Sequence, residues 1–157
     1  PSIYRGPPTP ELETAWDELW NVGGIRIPED KFSRLNRTLP ATGGQTFVAV
    51  NGDEGGYFAL AEVFHQLHCL NLIRQYTWRD WYLRHEDIVP LPGDLSNGPV
   101  EARMHADHCI ETLRLSLMCH ADTTPMFIMD DPSVPTGRKA DFNVHHKCAD
   151  FEALRRW

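Results

Sequence analysis

The sequence has no long hydrophobic run and no cluster of basic residues, and each absence argues against a class of protein. Its longest apolar stretch, residues 57–72, is broken by Glu62, His65, Gln66 and His68, whereas a membrane-spanning helix needs about 20 consecutive apolar residues. The 15 Lys and Arg are outnumbered by 22 Asp and Glu, which leaves a formal net charge of -7. Because phosphate contacts need a basic surface, this balance argues against nucleic acid as a partner.

The composition is that of an ordinary folded domain. Hydrophobic residues make up 41% and charged residues 24% of the chain, and there is no low-complexity tract. A length of 157 residues suits one domain with its own core, so we predict a single domain over 1–157. The first residue is Pro1 rather than Met, and we expect a signal or anchor to precede it in the full-length protein.

Cysteine usage and one short motif indicate an oxidising, secretory compartment. The four cysteines form an even number, as in disulfide-bonded proteins. Asn36-Arg37-Thr38 matches the glycosylation sequon, which makes Asn36 a candidate glycan acceptor.

Hydrophobic periodicity predicts a mainly α fold with a minor β component. An N-terminal helix is expected from its N-cap Thr9 to about Trp20. Apolar residues at helical spacing predict two long central helices, over 59–83 and 100–119. Prolines and glycines separate these two helices, which allows them to pack antiparallel. The other predicted elements, joined by long loops, are short strands at 47–50 and 126–129 and a last short helix at 150–157. Residues 55–58 either begin a further strand or lead straight into the first central helix.

One pattern, His-x-x-His-Cys, occurs once in each predicted central helix, at 65–69 and at 105–109. Residues three apart lie about 60° from each other around a helix, so both imidazoles of each copy project from one face. A single His-x-x-His is usually a surface or core feature, but two identical copies indicate a shared site. We predict that the site binds a metal, either one ion or a close pair. Its candidate ligands, and catalytic residues, are His65, His68, His105 and His108.

The spacing of these histidines bears on which metal they bind. Zinc proteases carry His-Glu-x-x-His, with histidines four apart and a Glu base, and this sequence has neither feature. A non-haem iron site needs two histidines and a carboxylate. Asp107 lies about 200° from His105 around a helix, so we expect it either at the surface or behind the ligands rather than on the metal. An all-imidazole set with an open position fits copper best, given its place in the affinity order.

The cysteines have two interpretations. Cys69 follows His65 by four residues, so on a helix it shares the imidazole face and is able to bind the same metal. Alternatively, the cysteines form two disulfides, which cross-link the helices and the C-terminal region around the site. The repeated motif and the secretory features favour the disulfides. Their predicted pairs are Cys69 with Cys109 and Cys119 with Cys148.

Five separated motifs, in order and over nearly the whole chain, resemble those of the fungal UstYa-type oxidases of mycotoxin and ribosomal-peptide biosynthesis. These motifs are Tyr4–Glu11 with Ala15-Trp16, Gly56-Tyr57 with Glu62–Leu70, His105–Glu111, Met118–Asp122 with Thr124-Pro125, and His146–Cys148 with Asp150-Phe151.

The resemblance implies a copper-dependent oxidoreductase that acts on C–H or phenol groups of a fungal secondary metabolite or peptide. The implied reactions are oxidative cyclisation, hydroxylation, desaturation and halogenation, with one or two copper ions and with dioxygen or peroxide as co-substrate. It also implies a location in the lumen of the secretory pathway, with a membrane anchor in the full-length protein. A homo- or hetero-oligomer is compatible with it.

Residues beyond the four histidines are predicted to assist in this chemistry. His146 is expected to add a ligand or to transfer protons. Asp122 and Asp150 are expected either to orient ligand imidazoles or to cap a helix or turn. The predicted walls of the substrate cleft are Tyr57, Tyr82 and His85. The predicted surface histidines are His120 and His145, and the predicted core tryptophans are Trp16, Trp20, Trp78 and Trp81.

Two other functions stay open from the sequence. In the first, zinc acts as a Lewis acid in a cyclase or hydrolase that needs no oxygen. In the second, the histidines bind a purely structural metal that cross-links the two helices and has no open coordination position.

Overall fold

A computed structural model describes residues 2–35, 46–52 and 55–156 of the chain, so the predicted glycosylation site Asn36 lies outside the described residues. The helices are α1 (Pro10–Trp20), a 3-10 helix (Glu29–Leu35), α2 (Glu62–Thr77), α3 (Arg79–Tyr82), α4 (Gly93–Ser96), α5 (Pro99–His120) and α6 (Phe151–Arg156). The strands are β1 (Ile25–Ile27), β2 (Tyr57–Ala59), β3 (Phe127–Asp130) and β4 (Arg138–Asp141). The described chain is mainly α with two small antiparallel sheets, which confirms the predicted fold class.

The described chain divides into two compact units, Pro1–Arg114 and Leu115–Trp157. No helix among its described residues is both long and apolar enough to cross a membrane. The prediction of one domain over 1–157 stays a prediction.

Helix α1 begins and ends where the sequence predicts. The hydroxyl Oγ1 of Thr9 accepts a hydrogen bond from the backbone N–H of Leu12 at 3.2 Å, which caps the helix. Pro10 occupies the first turn, where its missing N–H costs nothing. Trp16 is buried, as predicted, and its Nε1 donates to the carbonyl of Tyr4 at 3.2 Å. This bond holds the Pro-rich N-terminal arm against α1.

The first central helix is shorter than predicted at both ends. At its start, residues 57–59 form β2, which pairs antiparallel with β1 in the register Ile25↔Ala59. The predicted strand at 47–50 is reduced to an isolated bridge between Ala49 and Tyr57. At its end, α2 stops at Thr77, and the backbone of Trp78 (φ -105°, ψ 10°) separates it from α3. Pairing to β1 therefore overrides the helical periodicity around Ala59.

Helices α2 and α5 run antiparallel, as predicted. The ring pairs show this direction, since His65 lies opposite His108 and His68 lies opposite His105. Their contact is made by a cluster of fully buried residues, Cys69, Leu72, Ala106 and Cys109. The small side chains of α5 at this contact, Ala102 and Ala106, are almost inaccessible to solvent. Short side chains let two helices approach closely, which brings the two His-x-x-His faces within reach of each other.

A buried ionic network ties α1 to α2 and α3. The carboxylate of Glu13 accepts hydrogen bonds from Arg74 (Nη1 at 3.0 Å and Nη2 at 2.6 Å), from Gln75 Nε2 at 2.9 Å and from the Tyr82 hydroxyl at 2.7 Å. Arg74 also lies over the Trp16 ring, 5.5 Å from its centroid. Because every partner is satisfied, the network fixes the angle between α1 and α2 without leaving an unpaired buried charge.

The second unit contains a hairpin and a short helix. Strand β3 pairs with β4 in the register Phe127↔Asp141, at the position of the predicted strand 126–129. The predicted last helix is α6, and Asp150 Oδ1 accepts the backbone N–H of Ala153 at 2.8 Å. Of the two roles predicted for Asp150, the structure shows helix capping.

Candidate metal centre

The four histidines of the repeated motif lie together, in two pairs that each take one imidazole from α2 and one from α5. The ring centroids of His65 and His108 are 5.8 Å apart, and those of His68 and His105 are 6.0 Å apart. All four rings are at least partly accessible to solvent. The helical spacing therefore predicts the convergence correctly, whereas the division into two cross-helix pairs is a property of the tertiary structure.

The first pair, His68 and His105, has a carboxylate beside it. Asp94 Oδ2 lies 3.7 Å from His68 Nε2, and Asp94 Oδ1 lies 3.7 Å from His105 Nδ1. The ligand atoms of the three residues lie within 4.8 Å of one another. Asp94 stands in the first turn of α4, next to the fully buried Leu95, which anchors this short helix.

Burial lowers the pKa of His68, and the neighbouring histidines lower it further, whereas the charge of Asp94 raises it. The net decrease favours neutral imidazole, which is the form that binds metals.

The second pair, His65 and His108, has a thiol beside it. Cys69 Sγ lies 3.7 Å from His65 Nε2, and the ligand atoms of His65, Cys69 and His108 lie within 4.8 Å of one another. On the other side of the His65 ring, Nδ1 lies 3.1 Å from Glu62 Oε1. A hydrogen bond from Nδ1–H to this carboxylate leaves Nε2 with its lone pair toward the site, as in many histidine metal ligands. Glu62 is not among the predicted site residues, although its i, i+3 spacing to His65 is a usable signal.

All four cysteines are free thiols in the structure, so it does not contain the two predicted disulfides. Cys69 and Cys109 are buried side by side, with a hydrogen bond between their side chains. Burial is the main cause that raises the pKa of both thiols. Cys119 and Cys148 are exposed in the second unit. Both pairings, and ligation by Cys69, stay predictions.

A largely apolar cavity of about 650 Å³ opens beside the histidines. Trp20 and Phe58 form part of its wall, and His65 and His68 lie at its edge. The Trp20 ring is 4.5 Å from the His68 ring, centroid to centroid. Trp20 also lines a second cavity, of about 540 Å³, which Asp94 borders. Trp20 is thus a wall between two cavities rather than the core residue that the sequence predicts.

The three residues predicted to line the substrate cleft, Tyr57, Tyr82 and His85, do not line this cavity. Tyr82 is completely buried and donates its hydroxyl to Glu13. Tyr57 packs against Phe32, with ring centroids 4.8 Å apart, on the strand face opposite Phe58. His85 stacks on Trp81 at 4.5 Å. Strand alternation and burial decide which side chains face the cavity.

The second unit contains the remaining predicted site residues. His146 Nδ1 lies 2.8 Å from Asp122 Oδ2, within hydrogen-bond distance, and the orientation of a metal-ligand imidazole by Asp122 stays a prediction. Asp122 also accepts the backbone N–H of Thr124 at 2.9 Å. The hydrogen bonds from Thr124 and His146 lower the pKa of Asp122 to about 2. His120 and His145 are exposed, as predicted. The role of His146 as a further metal ligand stays a prediction.

The donor set fits a transition metal such as copper, zinc or iron better than it fits magnesium or calcium. Four imidazole nitrogens dominate it, with one carboxylate and one thiol at its edges, and imidazole is a good ligand for copper, zinc and iron. Magnesium and calcium prefer all-oxygen sites. Asp107, the carboxylate nearest in sequence, points away and pairs with Arg103 at 2.6 Å, as predicted.

Comparison with known proteins agrees with this picture. The family described as "Mycotoxin biosynthesis protein UstYa" matches residues 1–157. The chain is 44% identical over its whole length to "UstYa family oxidase phomYc" of Diaporthe leptostromiformis, covering 58% of that protein. It is 41% identical to "Transacylase cctO" of Talaromyces islandicus, over 98% of this chain and 50% of that one.

A third relative is "Hydroxylase cctR" of Talaromyces islandicus, 28% identical over 88% of this chain and 46% of its own. No solved structure matches. The chain spans about half the length of these curated relatives. With the family match over its full length and the paired histidines in place, the chain belongs to the UstYa family of mycotoxin biosynthesis proteins.

Proposed function

We propose that this chain is a copper-dependent oxidase that acts on a C–H or phenol group of a fungal secondary metabolite or peptide. The observation that carries the proposal is the convergence of four imidazoles from two antiparallel helices beside an apolar cavity. The names of two relatives, an oxidase and a hydroxylase, support oxidative chemistry. Copper is supported by the imidazole-rich donor set.

The residues of the chain would bind the substrate and hold the metal. His65, His68, His105 and His108 would hold copper, which when bound supplies one-electron redox chemistry with dioxygen or peroxide. The cavity walls bind apolar groups of the substrate and exclude water from the edge where His65 and His68 lie. Glu62 fixes the orientation of His65, and the Trp20 ring restricts the rotation of His68.

The test is metal analysis together with turnover of the purified protein. We expect bound copper, an electron paramagnetic resonance signal after copper loading, and loss of turnover by a factor of at least about 100 in His65→Ala and in His105→Ala. The matched control is His85→Ala, because His85 stacks on Trp81 away from the four imidazoles. Zinc alone, with no copper signal after loading, would contradict the proposal, as would full activity of His65→Ala and His105→Ala.

The reaction catalysed follows from the mass of the product. Cyclisation or desaturation removes two hydrogens, hydroxylation adds one oxygen, and halogenation replaces hydrogen by halogen. The expected substrate is a small molecule or a peptide. Product masses from the producing strain with and without this gene distinguish the three outcomes.

A second candidate function is a reaction without redox change, with zinc as a Lewis acid. It is favoured by one observation, the name "Transacylase" of a relative that is 41% identical to the chain. The two candidates differ in their need for oxygen, because acyl transfer leaves the oxidation state of the substrate unchanged. Full turnover in the absence of both dioxygen and peroxide would select the second candidate.

We also propose that the full-length protein faces the lumen of the secretory pathway and carries a membrane anchor outside this chain. The even number of cysteines and the sequon at Asn36 support the secretory location. Fractionation of cells that express the full-length protein, followed by glycosidase treatment, tests both statements. A homo- or hetero-oligomer is compatible with the family relationship, and sedimentation measures it.

A further inference from the structure

The carboxylate of Asp94 is placed between the imidazoles of His68 and His105, one from each central helix. Its two oxygens lie at the same distance, 3.7 Å, from His68 Nε2 and His105 Nδ1. Among the described residues, Asp94 has no Lys or Arg within ion-pair distance, and the two histidines are its ionic partners. With 43% of its side chain exposed, this carboxylate is open to solvent, from which a cation would reach it together with the two imidazoles.

The distances distinguish a metal ligand from a residue that orients the imidazoles. At 3.7 Å, neither oxygen is hydrogen-bonded to its imidazole, because N–H···O bonds are about 2.7–3.2 Å long. Two other carboxylates of this chain do bind an imidazole directly, Glu62 to His65 at 3.1 Å and Asp122 to His146 at 2.8 Å. Bonds of about 2.0–2.2 Å from one ion leave neighbouring ligand atoms roughly 3–4 Å apart. The two 3.7 Å separations at Asp94 therefore match the distance between two ligands of one ion rather than the length of a hydrogen bond.

We propose that Asp94 is a direct metal ligand and forms, with His68 and His105, a position of two histidines and one carboxylate. This inference rests on the proposed function, because it assigns a further ligand to the same metal centre. The position differs in chemistry from that of His65 and His108, which has the Cys69 thiol beside it instead of a carboxylate. The four histidines are therefore not equivalent, and an ion at His68 and His105 has one anionic oxygen ligand.

The experiment compares Asp94→Asn and Asp94→Ala with the control Asp107→Asn, which removes the same charge from an exposed residue of α5 that pairs with Arg103. Each full chain is titrated with copper against a competing chelator, and the electron paramagnetic resonance spectrum is recorded at one equivalent. We expect both Asp94 variants to lose affinity for copper by at least the factor of about 10–100 that removal of an outer-shell partner costs. We also expect the spectrum to shift toward nitrogen-only coordination, whereas Asp107→Asn binds like the wild type.

Circular dichroism of the metal-free variants shows whether each is folded. Asp94→Asn preserves the size of the side chain, so it serves where Asp94→Ala does not fold. Wild-type affinity and spectrum in a folded Asp94→Asn would overturn the inference, while the proposed function would stand if His105→Ala still loses copper. If the wild-type chain binds no copper, the proposed function and the inference both fail.

Discussion

Glu13 is the residue on which the packing of α1 depends most directly. Its carboxylate receives four hydrogen bonds from Arg74, Gln75 and Tyr82, and both Glu13 and Arg74 are largely buried. Burial raises the pKa of Glu13, but these hydrogen bonds together with the charge of Arg74 outweigh that effect and hold the pKa below its ordinary value of 4.5.

We predict that Glu13→Gln lowers the free energy of unfolding by about 3–5 kcal/mol, because it leaves Arg74 buried without its counter-charge. Urea denaturation measures this loss, and Glu11→Gln, at an exposed position of the same helix, is the control. A loss below about 1 kcal/mol in Glu13→Gln would contradict the prediction.

The same residue makes stability depend on pH. Since the pKa of Glu13 is lower in the folded than in the unfolded chain, its contribution is complete above the unfolded value of about 4.5 and is lost as the pH falls through the folded value. The wild type and Glu13→Gln should therefore converge in stability in acid.

At the scale of elements, the separation of α2 and α5 depends on small side chains. Ala106 is 1% exposed and lies in the contact between the helices, between His105 and the outward-facing Asp107. A larger side chain at this position has no free space, since Cys69, Leu72 and Cys109 surround it.

We predict that Ala106→Leu costs about 1–3 kcal/mol of stability through overpacking, and that it also weakens copper binding by moving the two imidazole pairs apart. Asp107→Leu is the matched control, because it adds the same side chain at the adjacent exposed position. Thermal denaturation and copper titration measure the two effects. Unchanged copper affinity in a destabilised Ala106→Leu would show that the helix separation does not control the site.

The features predicted correctly at this scale are those that depend only on residues close together in the sequence. Helical spacing correctly predicts that His65 and His68 share a face, because that depends only on residues within one turn. It leaves the choice between strand and helix at residues 55–58 open, and it starts the helix too early, at Ala59, which pairs with β1 instead. Asp94 was not predicted either, because its place beside His68 and His105 depends on how the connection between α2 and α5 folds back. Tyr82 was misassigned for the same reason, since its partner Glu13 lies far away in sequence.

At the scale of the whole molecule, each candidate metal position joins two helices that are distant in sequence. A ligand that binds only the folded state stabilises it by mass action, by about 2.7 kcal/mol at a free concentration 100 times its Kd. We therefore predict that copper at that concentration raises the melting temperature by about 5–10 °C, and that a chelator reverses the increase. Calorimetry of the wild type and of His105→Ala tests this prediction, and an equal increase in both would contradict it.

The cavity beside the histidines has one wall that depends on a glycine. A Cβ atom added to Gly24 would lie 1.9 Å from Cε2 of Phe58, so this aromatic ring rests directly on the bare backbone of residue 24. Phe58 itself is half exposed and belongs to a strand whose pairing uses only main-chain atoms. The Phe58 side chain can therefore be substituted without change to the backbone of Gly24 on which it packs. Substitutions of Phe58 would therefore change the shape of this cavity while the helices and the four histidines keep their places, so if the proposed function holds, substrate preference can change without change to the metal ligands.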